Sequence, residues 1–132
     1  MAEFTFPDNL RYTEKHEWID PQTGRVGISD HAQDQLGDIV YLDYTVNQGD
    51  TIAAEDVLGT IESVKTVSDI YAPASGEVSA VNEALLESPD ASAVINQSPY
   101  DKGWLFTIKI SDPKQLEQLM DAASYKKHVG QG

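Results

Sequence analysis

The chain has 132 residues, with 9 Lys and Arg against 22 Asp and Glu, which gives a formal net charge of −13. This length fits one domain and excludes multidomain dehydrogenases and full (β/α)8 barrels. The acidic surface disfavours nucleic-acid and membrane-surface roles, and a sequence without Cys has no disulfide framework, thiolate nucleophile or zinc ribbon. The N-terminus resembles no signal or transit peptide, so we expect a cytoplasmic protein, or a mitochondrial matrix protein if a transit peptide was removed. We expect a monomer, because the chain is strongly acidic and has no hydrophobic run that suggests a permanent interface.

The first predicted elements are a short helix and a strand. Residues 30–33 have the spacing of a capping box, and Gly37 is placed to end the helix. Alternation then predicts a strand from Val40, with one apolar face made of Val40, Leu42, Tyr44 and Val46.

Three shorter segments rich in β-forming residues follow, at Val57–Val64, Thr66–Tyr71 and Gly76–Val81. Residues 82–86 are predicted to form a turn or two of helix. The last predicted strand alternates Trp104, Phe106, Ile108 and Ile110 with more polar residues.

A C-terminal helix is predicted to begin after Asp112, with Pro113 at its first position and Gln115 completing a capping box. Its apolar face would comprise Leu116, Leu119, Met120 and Ala123. The chain is thus predicted to be one domain over residues 1–132, with an N-terminal extension over about residues 1–11 and a frayed tail over about residues 126–132.

Lys65 is the residue that this pattern singles out. It lies between two β-rich segments that have no Gly, Pro or Asn at their junction. If these segments pair as a hairpin, the amine of Lys65 stands at its tip. Gly49 and Gly76 mark the turns of the flanking strands. A Schiff-base enzyme would need a buried Lys, which a hairpin tip does not offer.

A metal site is the alternative for the histidines. His16-Glu17 begins like a zinc motif, but no second His stands on the next turn, which leaves only a distant grouping of His16 with His31 and Asp34. We expect no metal, because polar residues at the ends of elements account for the same pattern.

Five blocks in order resemble the glycine cleavage system H-protein family, within the biotinyl and lipoyl carrier superfamily. They span nearly the whole chain: Tyr12 to Trp18, Val26 to Val40, Glu62 to Val78, Asn82 to Leu85, and Pro99 to Leu105. Two connections depart from the family pattern. Residues 44–49 lack the usual Leu-Pro, and residues 89–96 are about three residues longer. We expect these changes to affect loop shape or a partner contact rather than the chemistry at the lysine.

The resemblance implies a mainly β fold, a lipoyl-type barrel-sandwich hybrid of short antiparallel strands with short helices and a C-terminal helix. It implies a carrier rather than an enzyme, with lipoate joined covalently to Lys65. Its partners would be a PLP-dependent glycine decarboxylase, a tetrahydrofolate-dependent aminomethyltransferase, dihydrolipoamide dehydrogenase and a lipoylating enzyme. A lipoyl carrier or lipoyl relay that serves another complex remains the alternative function.

Three acids are further candidates within this family pattern. We predict that Glu62 helps the lipoylating enzyme to recognise the hairpin. Glu17 and Asp69 are predicted to hold the loaded arm, because its protonated amine requires a carboxylate and its thioether decays in water.

Overall fold

The computed structural model describes residues 4–88 and 90–130. Its strands are β1 Arg11–Tyr12, β2 Glu17–Ile19, β3 Arg25–Ile28, β4 Ile39–Tyr44, β5 Thr51–Ile52, β6 Val57–Ser63, β7 Val67–Tyr71, β8 Gly76–Val81 and β9 Phe106–Ile110. Its helices are α1 Asp30–Leu36, α2 Val94–Gln97 and α3 Ala122–His128, with 3-10 turns at Glu83–Leu86, Ala91–Ala93 and Pro113–Gln118. Within these residues, no helix combines the length and the hydropathy that crossing a membrane requires.

The strands form two antiparallel sheets. One has six strands in the order β1-β2-β3-β9-β8-β5, and the other has three in the order β4-β6-β7. A single apolar cluster contains side chains from both sheets, among them Ile19, Val26, Ile61, Ile70 and Phe106. The mainly β class predicted from alternation is therefore the observed one, and the hydrophobic effect holds the two sheets together.

The hairpin predicted around Lys65 is confirmed. β6 and β7 pair with Glu62 opposite Val67 and Ile61 opposite Ser68. Ser63 fixes the turn without Gly or Pro: its Oγ accepts hydrogen bonds from the N–H groups of Lys65 and Thr66, both at 3.1 Å. The Ser63 N–H also donates to the Thr66 carbonyl at 2.8 Å. Backbone and side chain together thus hold the three-residue turn rigid.

The predicted apolar face of β4 is wrong at its first residue. Val40 is exposed, and Ile39 is buried in its place. The cause is a β-bulge between Ile39 and Tyr41, which shifts the register against β6 and turns Val40 outward. Leu42 is buried as expected.

The two predicted helices differ from the observed ones, the first in its cap residue and the second in its type and length. Ser29, not Asp30, caps α1, since its Oγ accepts from the Ala32 N–H; Gly37 ends the helix as predicted, with φ of 79°. Asp112 does cap a helical segment, but that segment is a 3-10 turn ending at Gln118.

The single predicted C-terminal helix is thus wrong. Met120 exchanges two backbone hydrogen bonds with Tyr12, which holds residues 119–120 out of the helix, and α3 begins afresh with Asp121 as its cap. Lys126 to His128, part of the predicted frayed tail, form the last turn of α3. Residues 1–3 and 131–132 of the predicted extension and tail lie outside the described residues.

Within the longer connection, residues 90–96 form short helical turns that contact the start of β4 through Asn96. Asn96 Oδ1 accepts from the Ile39 N–H at 2.9 Å, and Asn96 Nδ2 donates to the Gly37 carbonyl at 2.9 Å. Asn96 therefore braces the junction of α1 and β4. This junction adjoins the Lys65 turn, because the Val64 N–H donates to the Asp38 carbonyl.

Candidate functional site

Lys65 is exposed at the tip of the β6–β7 hairpin. Its side chain lies along the end of α1, close enough that a Cβ on Gly37 would stand 3.1 Å from Lys65 Cε. The positive φ of Gly37 favours glycine there, whereas the exposed Lys65 side chain could move aside for a Cβ. The amine is presented to solvent from a rigid support.

A cleft of about 140 Å3 opens beside β7 on the inner side of the three-stranded sheet. We call it the β7 cleft; its walls include Glu17, Leu36, Ile61, Ser68, Asp69 and Ile70. Leu36 is the last residue of α1, the helix whose end the Lys65 side chain follows. The cleft therefore lies on the path that an extension of Lys65 would take.

Glu17 is a buried carboxylate in the wall of this cleft, with 2 % of its surface exposed. Its Oε1 accepts from the Thr13 hydroxyl at 2.5 Å, and its Oε2 accepts from the Tyr71 N–H at 3.2 Å. Burial raises the pKa of Glu17 above its ordinary value, although these hydrogen bonds and the nearby Lys15 act in the opposite direction. A cation in the cleft would therefore favour the ionised form of Glu17, which burial disfavours.

Asp69 also contributes to the β7 cleft, but its carboxylate points elsewhere. Asp69 Oδ1 lies 3.4 Å from Thr60 Oγ1, on the outer face of the sheet. The partner of Asp69 across the ladder is Thr60, whereas Ser68 faces Ile61 on the inner side. The structure thus brings Glu17 and Asp69 to one cleft, with only Glu17 buried.

Glu62 lies on the outer face of β6 and is exposed. It pairs with Tyr41 of β4 and Val67 of β7, three residues before Lys65. It does not line the β7 cleft, so it is separated from Glu17 by the thickness of the sheet.

His16 is a cleft residue that the sequence did not single out for this place. It adopts φ of 75°, and its Nδ1 lies 2.7 Å from the Tyr125 hydroxyl, which lies 2.6 Å from Ser29 Oγ. The ring centroids of His16 and His31 are 4.9 Å apart, and burial lowers the pKa of both. Within residues 4–88 and 90–130, however, no three metal-binding side chains come together in a group that could hold an ion.

A second cleft, of about 410 Å3, lies on the other side of Glu17, between Tyr71 and the 3-10 turn that contains Gln115. Lys15 separates the two clefts, because it lines both and its Nζ stands 3.8 Å from the centroid of the Tyr71 ring. The sequence offered no signal for Lys15 or Ser68, because a strand edge becomes a cleft wall only when a distant helix packs beside it.

These residues fit a lipoyl group. Amide formation needs an accessible primary amine, which Lys65 supplies. A dithiolane ring would meet the apolar side chains of Leu36, Ile61 and Ile70, and a terminal ammonium would find the Glu17 carboxylate. The β7 cleft thus suits an arm that is apolar along its length and cationic at its end.

Comparisons with known proteins identify the family of the chain. The family model described as glycine cleavage H-protein matches residues 10–132. The chain is 48% identical over 129 residues to a glycine cleavage system H protein from Chlorobium phaeobacteroides, covering 96% of this chain and 98% of that one. It is 48% identical over 126 residues to a probable glycine cleavage system H protein from Halobacterium salinarum, with 96% and 98% covered.

Among solved structures, the crystal structure of a glycine cleavage system H protein from Mycobacterium marinum matches with a TM-score of 0.83 and 37% identity. The match covers 95% of this chain and 99% of that one, which supports the mainly β, lipoyl-type fold predicted from the sequence. The chain belongs to the glycine cleavage H-protein family.

Proposed function

We propose that Lys65 carries a lipoyl group in amide linkage and that the chain shuttles the aminomethyl group of glycine from a PLP-dependent decarboxylase to a tetrahydrofolate-dependent aminomethyltransferase. Family membership makes the chain a lipoyl carrier of the glycine cleavage system. The observation that carries the residue assignment is the exposure of Lys65 on a turn that Ser63 fixes.

The carrier role requires an arm that reaches both a partner and its own protecting site. When attached, the lipoyl group supplies a dithiolane that accepts and releases the one-carbon amine through its sulfurs. An extended lipoyl-lysine spans roughly 12–14 Å from the backbone. Ser68 follows Lys65 by three residues, about 10 Å along a strand, so the β7 cleft lies within reach.

Glu17 and Asp69 give this carrier its hold on the loaded arm. The buried Glu17 carboxylate pairs with the ammonium at the arm's end, and the apolar wall excludes water from the sulfur–carbon–nitrogen unit. Asp69 lies at the outer lip of the cleft, where its carboxylate must leave Thr60 to take part. We therefore assign the main electrostatic role to Glu17.

Rigid support and solvent exposure of Lys65 favour a carrier over a Schiff-base enzyme. A Schiff-base lysine must be neutral, which requires burial or nearby cations. Lys65 is exposed rather than buried, and it stands in a chain with a formal net charge of −13.

The proposal is tested by intact mass and peptide mapping after incubation with a lipoylating enzyme, lipoate and ATP. We expect one lipoyl group, on Lys65, and none on a Lys65→Arg variant, which also loses glycine–bicarbonate exchange with the decarboxylase. Lys109→Arg is the matched control, since Lys109 is exposed on β9 of the other sheet. A lipoyl group on any other lysine, or exchange by Lys65→Arg, would contradict the assignment.

A further inference from the structure

Lys15 lies in the turn between β1 and β2, on the wall that the β7 cleft shares with the second cleft. Hydrogen bonds of Thr13 fix this turn. Its Oγ1 accepts from the N–H groups of Lys15 at 3.2 Å and Glu17 at 3.1 Å, and its carbonyl accepts from the His16 N–H at 3.1 Å. The turn therefore holds the backbone of Lys15 in one place relative to Glu17.

The side chain of Lys15 lies against Tyr71 of β7. Its Nζ stands 3.8 Å from the centroid of the Tyr71 ring, which is a cation–π contact, although the residue as a whole is exposed. The N–H of the same Tyr71 donates to Glu17 Oε2 at 3.2 Å. Tyr71 thus contacts both the ammonium of Lys15 and the buried carboxylate of Glu17. Burial raises the pKa of Glu17 and the charge of Lys15 opposes that shift, as expected for two charges that attract each other.

Glu17 presents a negative charge to the β7 cleft at neutral pH. Both of its oxygens accept hydrogen bonds from donors that the fold fixes, the Thr13 hydroxyl and the Tyr71 N–H. Such bonds favour the carboxylate over the neutral acid. A cationic arm that enters the cleft then meets two fixed charges on its wall, an attractive one at Glu17 and a repulsive one at Lys15.

The forms of the arm differ in charge. The disulfide and dithiol forms are neutral, whereas the loaded form ends in an ammonium. Lys15 repels only the loaded form and offsets part of the attraction of Glu17, so it reduces the preference of the cleft for a cationic arm over a neutral one. Such a limit suits a carrier that must both shelter its cargo and surrender it, because residence in the cleft delays transfer.

We propose that Lys15 is a specificity-determining residue of the β7 cleft, whose ammonium on the Tyr71 ring limits how tightly Glu17 retains a cationic arm. The loaded carrier therefore holds its cargo less tightly than the buried carboxylate alone would hold it. This inference rests on the proposed function, because it concerns the arm on Lys65.

The first test follows ammonia release from the lipoylated chain, loaded with glycine by the decarboxylase, at pH 7.5 and low salt. Lys15→Met removes the charge and keeps an unbranched side chain beside the Tyr71 ring. We expect the loaded form of this variant to last about two- to fivefold longer than the wild type, the range that exposed charge pairs give. Lys15→Arg keeps the charge and should keep the wild-type lifetime.

Lys127→Met is the matched control. Lys127 is exposed on α3 and lines neither cleft, and its replacement changes the net charge by the same amount. Salt separates the charge of Lys15 from a structural role. At 1 M salt, where the Debye length is about 3 Å, the gain in Lys15→Met should largely disappear, because the exposed ammonium is screened. Damage to the fold would instead shorten the lifetime at both salt concentrations.

The second test needs no arm. The titration of the Glu17 carboxyl is followed by carbon-13 NMR in the unlipoylated chain, where Lys15→Met should raise the pKa of Glu17 and Lys127→Met should not. An unchanged pKa in Lys15→Met overturns the inference, since the two charges would then not interact.

The lifetimes can also overturn the inference. An unchanged or shortened lifetime in Lys15→Met does so, as does an equal gain in Lys127→Met or Lys15→Arg, or a gain that is the same at both salt concentrations. Failure of Lys65 to accept lipoate contradicts the proposed function, whereas normal lipoylation with an unchanged lifetime overturns only the role of Lys15.

Discussion

Replacement of Glu17 separates its structural role from its role in holding the arm. Glu17→Ala leaves the Thr13 hydroxyl and the Tyr71 N–H without their buried acceptor. A fully buried unpaired donor costs about 1–3 kcal/mol, so these two partly buried donors together cost at most about 2–6 kcal/mol. In Glu17→Ala, a faster loss of cargo would have two indistinguishable causes, destabilisation of the fold and loss of the carboxylate. Glu17→Gln is therefore the better variant.

Glu17→Gln keeps the shape and removes the charge. Folding raises the pKa of Glu17 above 4.5, so the folded chain binds this proton more tightly than the unfolded chain does. Wild-type stability then includes a contribution that is full below about pH 4.5 and is lost as the pH rises through the raised pKa. Gln resembles the protonated acid at every pH. Its amide leaves one of the two donors poorly paired, which lowers the free energy of unfolding by about 0.5–1.5 kcal/mol.

We therefore expect Glu17→Gln to have a slightly lower free energy of unfolding than the wild type at pH 5. This difference should shrink or reverse by pH 7.5. The measurement is urea unfolding of both unlipoylated proteins, followed by the fluorescence of the tryptophans, of which Trp18 is buried beside Glu17. Other titrating groups cancel in the difference between the two proteins. A difference that stays constant or moves the other way with pH would refute the raised pKa.

The same variant should release its cargo faster. A neutral amide in place of the carboxylate weakens the pairing with an ammonium by about 1–2 kcal/mol, which is about a five- to thirtyfold loss of the docked state. Decay is followed by ammonia release from the loaded carrier at pH 7.5, with Asp43→Ala as a control outside the cleft. A lifetime within twofold of the wild type would refute the role of Glu17 in holding the arm.

Two further predictions concern partners. Glu62→Ala should slow lipoylation without changing stability by more than about 0.5 kcal/mol, because Glu62 is exposed; Asp43→Ala should not, and equal rates in all three proteins would make Glu62 an ordinary surface acid. The association rate with the decarboxylase, measured by stopped flow, should fall steeply between 0.1 M and 1 M salt as the Debye length shrinks from about 10 Å to about 3 Å. A rate that is flat with salt would make the charge of −13 a device for solubility and leave recognition to the shape of the surface around Lys65.

Local patterns predicted the elements whose stabilising contacts are close in sequence. The hairpin at Lys65 followed from two β-rich runs, and Gly37 marked the end of α1 because its positive φ suits Gly. The errors arose where a distant contact overrode the local pattern. The bulge in β4 turned Val40 outward, and the pairing of Met120 with Tyr12 divided the predicted C-terminal helix.

The sequence by itself determined the mainly β class, the hairpin with Lys65 at its tip and the family to which the chain belongs, because each depends on residue type and spacing along the chain. Only the tertiary structure decided what surrounds that lysine. It buried Glu17 against Tyr71, 54 residues away, and it divided the residues near the hairpin between a cleft on the inner side and an exposed face on the outer side. Burial and the raised pKa of Glu17 arise from segments that meet only after folding, since desolvation depends on neighbours in space rather than in sequence.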